Sequence, residues 1–204
     1  MHAGSVSVNK LEGVPLEALR SVWTTVRRLV TDPNAFFDEL SRDQRTASDV
    51  FKEFLWIVAL IPPVSAFIGK AIIGIHGYTT PFGRTLLWAV YSYLFSLFGV
   101  WLTAKAIEYV SPNFDTPRDF NGAFRLVTYT SAPAFVAGIF QIIPALSLLS
   151  VVGLYSLYLL YTYLPRVLEV PEDKAQTFSL VAVVIVVLTW AVVSAVASLL
   201  VGGP

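Results

Sequence analysis

The sequence predicts an all-α fold: a polytopic membrane protein of five transmembrane helices, preceded by amphipathic helices on the cytoplasmic side. Five apolar stretches, roughly 54–75, 85–108, 123–140, 142–164 and 178–201, each fall in the ~17–25 residue range of a bilayer-spanning helix. The last of them, from Leu180 to Val201, contains no charged residue. Composition agrees: 55% of residues are hydrophobic, 14% are charged and the mean hydropathy is +0.67, well away from an ordinary soluble domain. Charge placement is the third observation. Formal net charge is zero, but lysine and arginine are distributed unevenly between alternate loops.

The chain divides into a flexible lead (1–13), a cytoplasmic interfacial segment (14–50) and a five-helix membrane domain (51–204). The first ten residues lack a charged segment followed by an apolar core, so no cleavable signal peptide is expected. Leu16, Leu19, Trp23, Val26 and Val30 then recur at helical spacing, with Glu17, Arg20, Thr24, Arg27 and Arg28 in other sectors. A basic amphipathic helix with an aromatic anchor suits an anionic membrane surface, so residues 15–30 are expected to meet anionic lipid headgroups. Asp32 can cap the next helix and Pro33 fits its first turn, where a missing N–H costs little. Phe36, Phe37 and Leu40 give that second helix a short apolar face. Thr46 with Asp49 three residues on reads as a capping box ahead of the first span.

Orientation follows from the basic residues. With the N-terminus inside, the inner side carries 12 of the 14 lysines and arginines, and only Lys70 and Arg84 fall toward the outside. Five spans then place the C-terminus outside. The chain is expected to be a multi-pass integral membrane protein.

Within the spans, polar and helix-breaking residues are the candidates for function. Lys70 lies in the outer half of the first span; Lys105 and Glu108, three apart near the inner end of the second, share a face and can pair. Ionisable groups at such depths mark functional sites or else snorkel to the nearest interface, and both lysines are close enough to an interface to do so. Pro62 and Pro63 interrupt the first span, Pro133 lies within the third, and Pro144 begins the fourth. Pro133 frees the carbonyl of Tyr129, which then needs a partner from another helix, a hydroxyl or water. Ser147, Ser150, Gly153 and Ser156 step through the fourth span at three-residue intervals, while Ala191/Ala195 and Ser194/Ser198 are four apart in the fifth. Small residues so spaced allow close approach of helices, within the chain or between copies. Tyr155, Tyr158, Tyr161 and Tyr163 make the fourth span phenolic.

No enzyme signature is present: there is no nucleophile elbow, zinc-protease helix, phosphate loop or dinucleotide fingerprint. The chain has no cysteine, which excludes disulfides and thiolate chemistry, and its two histidines, His2 and His76, are too few for a metal site. No enzymatic activity, cofactor, metal or nucleic-acid partner is expected. The expected contacts are the lipid bilayer, other membrane proteins and copies of itself.

The order of these landmarks resembles a known family. Leu29-Val30-Thr31-Asp32-Pro33 leads into Phe36-Phe37; Tyr129-Thr130-Ser131-Ala132-Pro133 lies in the third span; Ile143-Pro144, the tyrosines of span four and Lys174-Ala175 follow. Over roughly residues 26–201 the chain resembles the Yip (Ypt-interacting protein) family in its short prokaryotic form. That resemblance implies five spans, a cytoplasmic N-terminus and, in eukaryotic members, a link to Rab-type GTPases and vesicle traffic. The short N-terminal region here departs from those members. Two function classes follow: a non-enzymatic scaffold or adaptor for membrane proteins or lipids, and alternatively a transporter of small solutes, ions or lipids built on the kinked spans one and three.

Overall fold

The computed structural model describes residues 14–74 and 80–201, and no strand occurs among them. The lead 1–13 and both histidines lie outside the described residues, as do the side chains of Leu16 and Leu19. Two helices precede the bundle: α1 (Val14–Thr31) and α2 (Pro33–Ser41). Asp32 forms the joint between them. Its backbone N–H closes α1 onto the Arg28 carbonyl (2.9 Å), and its Oδ1 accepts the Ala35 N–H (3.2 Å), with Pro33 in the first turn of α2.

Five helices long and apolar enough to cross a bilayer follow among the described residues: α3 (Ala47–Ile73), α4 (Phe82–Phe114), α5 (Phe120–Ile142), α6 (Leu148–Val167) and α7, running from Glu172 to Val201. The chain is an integral multi-pass membrane protein. The start of α3 is a reciprocal capping box, in which the Thr46 hydroxyl accepts the Asp49 N–H while Asp49 Oδ2 accepts the Thr46 N–H (3.0 Å).

Helix α5 is the axis of the bundle. In its most apolar stretch 72% of residues are buried, against 17–33% in the other four helices, so α5 meets protein where the others meet lipid. Glycine permits two of its closest crossings. A Cβ on Gly138 would fall 2.9 Å from the Pro62 Cα, and one on Gly69 would collide with the Gln141 carbonyl oxygen. The outer half of α3 therefore leans directly on the end of α5.

Helices α4 and α5 end in short 3₁₀ segments, Ser111–Phe114 and Gly138–Ile142, while α3 and α6 depart further from α-helix, each for a legible reason. Helix α3 breaks at Ala59–Leu60, where the Leu60 N–H turns tightly onto the Ile57 carbonyl (3.1 Å). Pro62 and Pro63 thus occupy the first turn of the following segment, where a missing N–H leaves no helical bond unmade. Wide π-type turns at Phe51–Leu55 and Ile68–Ile73 flank that break. Ahead of and into α6, residues Pro144–Leu154 wind as a 3₁₀ helix, an uncommon length for that form. Its three residues per turn place Ser150 and Gly153 on one line. That line faces α5: the Ser150 hydroxyl donates to the Ala137 carbonyl (3.4 Å), and a Cβ on Gly153 would lie 3.1 Å from the Ala134 Cα. This part of the small-residue face serves packing within the chain. The corresponding residues of α7, Ala191, Ser194, Ala195 and Ser198, remain exposed.

One face differs from expectation. Helix α1 packs on the bundle through Val22, Val26 and Leu29, whereas Trp23 and Val30 stay 66% and 58% exposed. Among its described side chains, residues 20–31, the apolar arc of α1 is wider than the seam it forms, and one edge of it meets protein.

Candidate functional site

The N-terminal helices and the loops around 42–46, 111–119 and 168–171 gather at one end of the bundle. Seven ion pairs among the described residues lie at this end. Its anchor is Arg125, in the second turn of α5 and only 7% exposed. Arg125 Nη1 donates to the Arg45 carbonyl (2.7 Å), and Nη2 sits 3.8 Å from Asp119 Oδ2. Beside it, Asn121 Oδ1 accepts the Ala47 N–H (2.9 Å). Two side chains of α5 thus hold the α2–α3 connection by its backbone.

Arg45 extends from that connection. It pairs with Asp43 (2.6 Å) and Glu53 (3.0 Å) and lies 5.9 Å from the ring centroid of Tyr129. The hydrogen bond that Arg45 donates to Asp43 leads the interactions that hold its guanidinium above its already high pKa. Burial by itself pushes Asp43 upward, but hydrogen bonds from the Arg45 side chain and N–H outweigh it and hold the carboxyl below its ordinary value. Tyr129 is 2% exposed, with Phe36 edge-on at 5.2 Å and Phe54 at 4.9 Å. Arg28 bonds Glu39 (2.6 Å), which raises its pKa. Between these two charged rims and over the Phe36–Tyr129 floor lies a cleft of about 400 Å³.

The α2 helix is fastened independently to α6. Phe37 stacks on Tyr163 at 4.2 Å, the Tyr163 hydroxyl donates to Asn34 Oδ1 (2.9 Å), and Arg166 pairs with Asp38 (2.8 Å). Lys174, at the start of α7, pairs with Asp115 in the α4–α5 loop. The two N-terminal helices thus form a cap held to three of the five spans, α3, α5 and α6.

The residues singled out in the sequence do not converge on one site. Tyr129 belongs to the charged end, and Asp32 and Pro33 to the joint of the cap. Lys105 pairs with Glu108 (2.7 Å) and lies 4.3 Å from the Phe120 ring, near the same end but on its flank. Lys70, at the opposite end, sits 4.2 Å from the Trp88 ring. Tyr155 and Tyr158 stack on each other, and Tyr158 is exposed. Pro63 and Pro133 are buried, and beside Pro133 the Ala134 N–H donates across to Ser156 Oγ (2.9 Å).

A second cavity, of about 640 Å³, lies between the spans, and Pro62 is part of its wall. Its lining is apolar apart from four serines and the indole of Trp190. Lys70, Tyr129, Tyr155 and Tyr158 do not line it.

Sequence reasoning passed over Arg45, Asp43, Asn121 and Asn34, whose roles depend on contacts between distant segments. Arg125 carried a readable signal as a charge set inside the third span.

A family model for the Yip1 domain matches residues 27–195. The chain belongs to the Yip1 family. Among curated proteins and among solved structures, none matches it. The matched Yip1 domain begins inside α1 and takes in α2 and most of α7, so the charged end, the Arg125 anchor and the cavity between the spans all fall within it. Of the two N-terminal helices, all of α2 but only the last five residues of α1 fall within the match.

Proposed function

We propose that this Yip1-family protein is a non-enzymatic membrane adaptor whose cap lies on the cytoplasmic surface, with the C-terminus outside. Its working surface is the free edge of α1, which engages anionic lipid headgroups and partner membrane proteins. The observation that carries this reading is the division of the α1 apolar arc. Val22, Val26 and Leu29 are spent on the bundle, while Arg20, Trp23, Arg27 and Val30 share the neighbouring sector and remain exposed. α1 packs against the first turns of α3, which supports a position for that sector where the first span emerges from the bilayer. An aromatic and an aliphatic side chain beside two arginines at that depth match an interfacial helix. Supporting this, the interhelical cavity is lined by serines and apolar groups rather than by an ionisable relay.

The test uses purified protein in vesicles. A photo-crosslinker at position 23 should capture acidic lipid or defined membrane proteins, and the vesicles should show no protein-dependent movement of ions, small solutes or lipid. Flux that requires the protein and disappears in a well-folded Pro133→Ala variant would favour the transport reading instead.

A further inference from the structure

We infer that the 640 Å³ cavity between the spans is a resident lipid site that holds one acyl chain of a membrane glycerophospholipid. The cavity lies around the middle of α4, α5 and α7, and elements of all five spans contribute to its wall. Serines in that wall would ordinarily suggest water, but three of the four have their hydrogen bonding directed at backbone. Ser96 Oγ donates to the Ser92 carbonyl (2.8 Å), Ser150 Oγ donates to the Ala137 carbonyl, and Ser156 Oγ accepts the Ala134 N–H. The surface left facing the space is largely hydrocarbon and indole. A space of this size, mostly apolar with few free polar groups, is a ligand pocket and a poor home for water, which needs two to four polar partners.

The position of its mouth decides the occupant. Three lining residues, Val151, Leu154 and Val187, are 63%, 61% and 50% exposed, so the cavity opens sideways between α6 and α7 onto a lipid-facing surface. At that depth the molecules in continuous contact with the opening are bilayer acyl chains. The inner wall is firm: the Trp190 ring lies edge-on to Phe135 (6.2 Å) and within 3.4 Å of where a Cβ on Gly99 would sit. A flexible chain can enter such a slot from the side, whereas a second transmembrane helix would need a space about 10 Å across along its length.

The test is photolabelling of the full chain in vesicles containing a phosphatidylcholine with a diazirine midway along one acyl chain. Crosslinks should concentrate on α5 around Ser131, the 150–157 segment and α7 around Trp190, above the level at openly lipid-facing residues such as Leu94 and Val184. Ser131→Leu and Val187→Phe, which fill the slot and its mouth, should cut the cavity crosslinks severalfold and leave those at Leu94 unchanged. Measuring both positions in each folded variant separates loss of the site from loss of the fold. Labelling spread evenly over the lipid-facing surface, cavity labelling indifferent to both variants, or protein–protein crosslinks from the cavity would each overturn the inference. None of these outcomes depends on whether α1 binds partners.

Discussion

Arg125 shows how one side chain can hold the cap of this protein in place. Its guanidinium is buried and its clear hydrogen bond goes to a backbone carbonyl, that of Arg45, 80 residues away in sequence. Removing it leaves that carbonyl unpaired and a void beneath the loop. Arg125→Met should therefore lower stability by about 1–3 kcal/mol, read as a fall in the thermal midpoint of the detergent-solubilised protein. Arg125→Lys should recover only part of the loss, because an ammonium cannot present a forked donor to both Arg45 and Asp119. Asp43 gives a pH signature. Its folded-state pKa lies below the ordinary 3.8, so its contribution is complete above that value and disappears as the pH falls through the depressed one. An acid titration should show this loss in the native protein, and Asp43→Asn should remove that component while leaving neutral-pH behaviour nearly flat. In the sequence Arg125 is only one of the 12 basic residues counted to the inner side. Its burial depends on the 42–46 loop folding over it, and no local pattern encodes a contact of that range.

The elements obey two kinds of rule, and mutations should separate them. Along the fourth span the three-residue stepping of small side chains was plain in the sequence, and the 3₁₀ winding that aligns them on α5 is the physical reason for that interval. Here close approach should matter more than hydrogen bonding. Gly153→Val puts atoms against the α5 backbone and should cost several kcal/mol, more than ordinary overpacking. Ser156→Ala removes one bond to the Ala134 N–H and should cost nearer 0.6 kcal/mol, the mean for such bonds between membrane helices. Equal effects of the two, measured by unfolding in mixed micelles, would contradict that ranking. Pro133→Ala should accumulate normally in the membrane, since the adjoining N–H already has its partner in Ser156. The amphipathic character of α1 was also plain from its periodicity, but its seam was not. A wide apolar arc does not say which edge meets protein, and that choice belongs to Leu29, Val26 and Val22 meeting α2, α3 and α5.

At the scale of the molecule, five spans and the gathering of basic loops at one end were readable because hydropathy and charge are summed over many residues and survive local irregularity. The breaks in α3 were readable only as prolines, since where the chain yields depends on the crossing at Gly138 and Gly69. The absence of native cysteine makes the topology directly testable. Single cysteines at positions 118 and 174 should be shielded from an impermeant thiol reagent in intact cells, while those at 78 and 202 should react; the reverse pattern would invert the proposed orientation. The adaptor reading rests on where the free edge of α1 sits, and Trp23 reports on it. With Trp56, Trp88, Trp101 and Trp190 changed to phenylalanine, Trp23 emission in reconstituted full-length protein can be read against lipids brominated near the headgroup. These lipids should quench Trp23, more strongly when the brominated lipid is anionic than when it is neutral, with that difference shrinking as salt screens the arginines. Quenching of Trp23 by aqueous iodide alone, with no response to brominated lipid of either charge, would contradict the adaptor reading.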